Sequence, residues 1–450
     1  MSTADADPRH FTVSLRMVFA IAVPMTLAYL STPLIGVVDV AVVGQLGDAA
    51  LIGAVALGAL LFDFIGTSFN FLRSGTTGLV AQAMGAGDRE AEAITLWRAL
   101  LFATVAGTAV IALHQPLLFV FLEAMGASEA VDAATARYYA VRVWGTPLMF
   151  ANYAILGWLL GLARAGTGLG LQVMLGVTNI ALSLLFVLGL GWGVAGVAAA
   201  SVIAEGVTLA AGAAVVARAL GRRPRPTLAA VLERIGFLRM VLVNRDIFIR
   251  SMLLVGTFSF FNAVSARTGD VTLAANAILM NVFLLASYFL DGLATASEQL
   301  GGRAVGARLR TAFDRTVRVT LIAGVTLAAG LSALALVAGP AFIDAMTTSE
   351  PVRSEARLYV AWAALTPVAG AVAFIMDGLF IGATWTVAMR NMMILSTLLF
   401  LAVWAVATPT LGNHGLWLAL LAFLGARGLT LWLAVPRHAR RTFGVPASSR

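Results

Sequence analysis

Nine ionisable residues fall inside long apolar stretches of this 450-residue chain: Asp39, Asp63, Arg73, Arg142, Glu205, Asp291, Glu298, Asp377 and Arg427. A charge at the centre of a bilayer costs several kcal/mol unless it faces a water-filled cavity or a partner, so each of these positions asks for a role. Asp39 asks most clearly, because Leu34 to Val43 contain no other charge. A carboxylate taken out of water in this way can bind and release a proton near neutral pH as water access switches sides. Pro24 and Pro33 lie on the same stretch, where each removes a helical hydrogen bond and favours a kink, so protonation of Asp39 can be coupled to bending there. Further along, Tyr288, Asp291, Thr295 and Glu298 are spaced three, four and three residues apart. That spacing sets all four on one helical face. Such a stripe belongs on a cavity, where it can bind a cation, relay protons or cement neighbouring helices. Asp377, next to Gly378, offers a further negative group. Arg73 and Glu205 lie nearer the ends of their stretches, where a long side chain can snorkel to the interface.

Other chemistries find little support. The 30 basic residues are all arginine, so a phosphate-binding Gly-x-x-x-x-Gly-Lys-Ser/Thr loop is absent and any work done must draw on an ion gradient. There is no cysteine, the four histidines (His10, His114, His414, His438) are scattered, and neither Gly-x-Ser-x-Gly nor His-Glu-x-x-His occurs. No cofactor and no dedicated metal site is expected, and the chain does not read as an enzyme. Gly85-Ala86-Gly87 lacks the strand that would make it a dinucleotide loop. The Gly157-x-x-x-Gly161 spacing is compatible with close helix packing, but among 44 glycines it carries no weight alone.

The elements that must position these residues are membrane helices. A chain with 60% hydrophobic residues, 12% charged residues and a mean hydropathy of +0.92 is unlike soluble domains. Spans are predicted at 17–43, 51–80, 96–121, 137–162, 168–190, 193–217, 248–267, 271–300, 317–343, 357–383, 388–410 and 413–435, most of them longer than the ~20 residues a bilayer needs. The first is too long for a cleaved signal and reads as a signal anchor. With the N-terminus inside, 23 arginines fall on the inner side: Arg9, Arg16, Arg89, Arg98, Arg164, eight from Arg218 to Arg250, five from Arg303 to Arg318, Arg390 and four from Arg437 to Arg450. Only Arg137, Arg267, Arg353 and Arg357 fall outside, which predicts both termini in the cytoplasm. The basic run Arg222-Arg223-Pro224-Arg225-Pro226 then reads as a connector near anionic lipid heads rather than a nucleic-acid site.

The chain also repeats itself at half its length. Ala136-Arg137-Tyr138-Tyr139 with Thr146-Pro147 is echoed by Ala356-Arg357-Leu358-Tyr359 with Thr366-Pro367. Ala83-Met84-Gly85-Ala86 with Arg89 is echoed by Ala304-Val305-Gly306-Ala307 with Arg310, and Gly47-Asp48 by Gly269-Asp270. Six spans per repeat is an even number, so both copies share an orientation and are related by an axis along the membrane normal. The fold class expected is all-α integral membrane: twelve transmembrane helices in two six-helix bundles with pseudo-twofold symmetry, the parallel-repeat plan of secondary transporters. The divisions are 1–217 and 248–435 for the bundles, 218–247 for a basic connector and 436–450 for a tail.

Several runs resemble the multidrug and toxic compound extrusion (MATE) transporters, and specifically their DinF-like branch. These are Ala22-Val23-Pro24, Pro33-Leu34, Val38-Asp39 and Val43-Gly44, then Phe71 to Leu79, Ala81-Gln82-Ala83 and Gly85-Ala86-Gly87-Asp88. In the second half they are Ala274-Ala275-Asn276-Ala277 and Ser287 to Gly292, with Ala296 and Glu298. The resemblance implies export of organic, often cationic or amphipathic compounds, driven by inward flow of protons or sodium through alternating access; a monomer in a bacterial-type inner membrane is expected. It implies that Asp39 is an ion-coupling position and that Asn179 shares its site. Ser183 departs from the pattern, standing where many relatives carry an aspartate. Losing that carboxylate weakens a sodium site and favours protons, although Ser183 and Ser201 can still supply neutral oxygens for a weak sodium site at Asp39 and Asn179. A flippase for a lipid-linked precursor would share the architecture, but should carry more cavity arginines to neutralise a diphosphate.

Overall fold

The computed structural model describes residues 11–221 and 226–444, so Arg222, Arg223, Pro224 and Arg225 of the basic run, with Arg9, His10 and Arg450, lie outside the described residues. Within them, twelve helices are long and apolar enough to cross a membrane, and no strand occurs. Spans one to six are Leu15–Gly44, Ala49–Ala86, Arg89–Ala112, Glu129–Gly161, Ala165–Gly189 and Gly193–Leu220. Spans seven to twelve are Arg234–Thr268, Asp270–Gly306, Arg310–Met346, Glu350–Gly382, Thr386–Leu411 and Asn413–Phe443.

Two boundaries correct the sequence reading. The apolar run predicted as one span to residue 121 breaks at Leu113, and a separate helix, His114–Met125, follows. Pro116 in the first turn of that second helix has no N–H to give to the preceding turn, and the His114 ring nitrogen takes up the carbonyl of Ile111 at 2.6 Å. Span seven begins fourteen residues earlier than predicted, at Arg234 rather than 248, so Arg234, Arg239 and Arg245 are helical and not loop residues.

The repeat is visible in turn geometry. Gly87 and Arg308 (φ 71° and 55°), Ala163 and Thr384 (56° and 55°), and Gly191 and Gly412 (69° and 58°) are left-handed residues 221 positions apart. Arg308 and Thr384 carry side chains where glycine would be strain-free, which is why the turns escape a search for Gly. Helix crossings recur at the same offset. A Cβ on Gly157 would strike the carbonyl of Arg73, and one on Gly378 would strike that of Ala294. Gly161 faces the Thr77 carbonyl as Gly382 faces that of Glu298. The Gly157-x-x-x-Gly161 spacing therefore does mark close backbone approach, and its echo at Gly378 and Gly382 was the available signal.

Packing divides the chain into two compact units. One comprises Leu27–Val80 and Asp88–Met240; the other comprises Met1–Thr26, Ala81–Gly87 and Val241–Arg450. In the first unit, Arg98 of span three holds the chain that leads to span seven, its Nε donating to the Val231 carbonyl at 2.8 Å and its Nη2 to that of Ala230 at 2.9 Å.

Candidate ion-coupling and substrate residues

Span one brings Asp39 into the first unit, where it is 7% exposed. Ser183 of span five donates its hydroxyl to Asp39 Oδ1 at 2.8 Å. One turn earlier on span five, Asn179 Nδ2 donates to Ser201 Oγ of span six at 2.8 Å, while the buried Asn179 Oδ1 has no partner. The four expected coupling residues thus form two buried contacts joined along one face of span five, with Asp39 as their only carboxylate.

One turn beyond Ser201, span six carries Glu205, which is buried. Arg142 of span four donates Nη2 to Glu205 Oε1 at 2.6 Å and lies over the Phe62 ring at 4.7 Å. Asn152 Nδ2 donates to the Glu205 carbonyl at 3.0 Å. A desolvated pair of this kind holds its geometry because neither charge can leave without exposing the other. Arg73 is half-buried and donates to Asn70 Oδ1 at 3.0 Å and Ser74 Oγ at 3.1 Å, across the face of Tyr29. Asp63 is exposed at the surface of the unit.

In the second unit the stripe on span eight grades inward: Tyr288 and Asp291 are half-buried, and Thr295 and Glu298 are 2% and 3% exposed. Thr295 donates to the main-chain carbonyl of Asp291 at 2.9 Å. Beside Asp291, Gly292 packs against the stretch of span one that bears Pro24, with Ala22 O only 2.7 Å from where a Cβ would sit. Pro24 and Pro33 both lie within the continuous helix Leu15–Gly44. Asp377 is buried in span ten, and its Oδ2 accepts from both Arg250 of span seven and Arg427 of span twelve. Arg250, counted from sequence among the inner-loop arginines, is in fact the partner of an in-span aspartate. Among the described residues, no group of three or more His, Cys, Asp or Glu side chains gathers where it could hold a metal ion.

The MatE family model matches residues 24–185 and again 247–406. The chain belongs to the MatE family. One stretch of the match falls in each repeat, and together they cover well over half the chain. Like other MatE proteins it is a multi-pass membrane transporter and not an enzyme. It is 37% identical over 430 residues to DNA damage-inducible protein F of Escherichia coli K12, covering 95% of this chain and 94% of that one. It is 27% identical to a probable multidrug resistance protein NorM of Rhizobium meliloti, over 98% and 96% of the two chains. A MOP superfamily transporter from Pyrococcus furiosus superposes with a TM-score of 0.87 at 19% identity, over 98% of each chain. An outward-facing multidrug resistance MATE family transporter of the MOP superfamily does so at 0.86, also at 19% identity over 98% of each. The two-bundle, twelve-span architecture expected from sequence is the architecture of this fold.

Proposed function

We propose that the protein exports organic, often cationic or amphipathic compounds in exchange for protons, with Asp39 as the proton carrier and alternating access as the cycle. The NorM relative, a probable multidrug resistance protein, supports export of this general class. The observation that carries proton coupling is the make-up of the buried site: Asp39 is the single carboxylate among neutral oxygens and an amide. A sodium ion prefers several hard oxygen ligands with enough negative charge, whereas one proton neutralises one carboxylate completely. Sodium remains the second reading because Asn179 Oδ1 is buried without a partner and is of the right ligand type. We take 1–217 and 248–435 as the two bundles that rock during transport, 218–247, which includes the first turns of span seven, as the stretch that joins them, and 436–450, which includes the end of span twelve, as the tail. We take the protein as an inner-membrane monomer, and the arginine distribution favours both termini in the cytoplasm.

The test is efflux of a fluorescent lipophilic cation from proteoliposomes under an imposed pH gradient and, separately, a sodium gradient. Movement driven by the pH gradient alone, and lost in Asp39→Asn, is expected. Movement driven by sodium alone would overturn proton coupling. A lipid-scrambling signal with no dye movement would replace export by the flippase reading.

A further inference from the structure

The second unit buries more positive than negative charge at one point. Arg250 and Arg427 share a single oxygen of Asp377, and Asp377 Oδ1, Arg250 Nε and Arg427 Nε are all buried without partners. The side chains of Arg427, Asp377 and Arg250 are 2%, 6% and 15% exposed. Two guanidiniums on one carboxylate oxygen leave charge unmatched at that contact, which is expensive in a membrane-embedded bundle unless a second anion, either Asp291 or a bound one, balances the group. Unused N–H donors remain on both arginines, and a guanidinium is suited to planar, two-oxygen acceptors. Arg427 also lies 5.6 Å from the centre of the Phe374 ring and 5.8 Å from that of Phe423, so apolar faces flank the charge.

We propose that Arg250 and Arg427, held by Asp377, form a subsite for the carboxylate or sulfonate of an amphipathic substrate, with the Phe374 and Phe423 rings against its apolar body. The subsite rests on the reading of the protein as an exporter of organic compounds, and extends it to anionic and zwitterionic ones. Asp377 then serves as a positioning residue rather than a cation ligand, because its charge is already taken twice. Asp291 of span eight lies within electrostatic reach of Arg427 and competes with an incoming anion.

The probe is a dye pair that differs by one charge: tetramethylrhodamine, which bears a free carboxylate, and its methyl ester. Binding of each to the full-length protein in mild detergent is followed by fluorescence anisotropy, with protein-free micelles as reference. Wild type should bind the acid more tightly than the ester. Arg250→Gln should weaken the acid tenfold or more and the ester less than twofold, Arg250→Lys should retain part of the acid binding, and Asp291→Asn should tighten the acid. Because Arg427 is wholly buried and its loss can prevent folding, the partly exposed Arg250 carries the test. Equal loss of both dyes in Arg250→Gln, no preference for the acid's carboxylate, displacement of the acid by chloride alone, or binding of neither dye would overturn the subsite. Efflux of the ester by wild type separates the two claims: ester movement with no acid binding removes only the subsite, and no movement of either removes the export reading.

Discussion

Breaking the Arg142–Glu205 pair should cost far more than deleting it whole. Nη2 and Oε1 are 2.6 Å apart, and the two side chains are 10% and 6% exposed. At the ~4 Å typical of the charge centres in such a contact, and an effective dielectric near ~20, the attraction is about 4 kcal/mol, offset largely by the desolvation of both groups. Removing one partner keeps the desolvation of the other and loses the attraction. Arg142→Met and Glu205→Met should therefore each cost about 3–5 kcal/mol, while the double variant should fall within about 1 kcal/mol of wild type. The site leaves little room for rearrangement, since a Cβ on Gly145 would lie 2.7 Å from Arg142 Nη1 and 3.3 Å from Glu205 Oε2. Denaturant unfolding in mild detergent, followed by far-ultraviolet circular dichroism, gives the four corners of the cycle. A double variant that costs the sum of the two singles would refute the reasoning, because the charges would then be stabilised independently by surrounding water or lipid headgroups.

Gly157→Ala should destabilise by about 1–3 kcal/mol through the clash with the Arg73 carbonyl, whereas Gly170→Ala on span five, with open space around it, should be neutral or stabilise by up to about 1 kcal/mol; the same unfolding assay compares them. Asn276→Ala should cost about 1–3 kcal/mol, because Asn276 Oδ1 accepts from Trp417 Nε1 at 2.9 Å and from Asn413 Nδ2 at 3.0 Å, and both donors would be stranded. At the start of span seven, the N–H groups of Gly236 and Ile235, aided by Arg98, hold the Glu233 carboxyl below the usual range. A depressed value means this contribution is present above the ordinary Glu range near ~4.3 and is lost only as pH falls through the lower folded value. Hydrogen exchange of residues 227–240 should keep its protection between about pH 7 and pH 5 once intrinsic rates are corrected, and Glu233→Gln should reduce it at both.

The spans were legible because hydropathy and the ~20-residue requirement are strong, local signals, and the repeat was legible from Arg, Tyr and Thr-Pro pairs that survive a permissive apolar background. The break after Ala112 was missed because an apolar run looks the same whether one helix or two carry it, and Pro116 alone told them apart. Asp39 was legible as a lone charge, yet its joining to Ser183 across 144 residues of chain is a tertiary fact. Arg250 was misplaced for a related reason: hydropathy locates an arginine near a span end, but not whether it points to water or back to Asp377. The crossings at Gly157 and Gly378 were hidden by the abundance of glycine, and only their recurrence at one offset separates them from chance.

Proton coupling through Asp39 is tested most directly by counting protons as substrate binds. In weakly buffered detergent solution with a pH indicator, titrating a lipophilic cation such as the rhodamine ester into wild type at pH ~5.5 should release protons in proportion to the bound dye, and Asp39→Asn should release none while still binding. Equal release by the variant, or binding that requires sodium and releases no proton, would contradict the account.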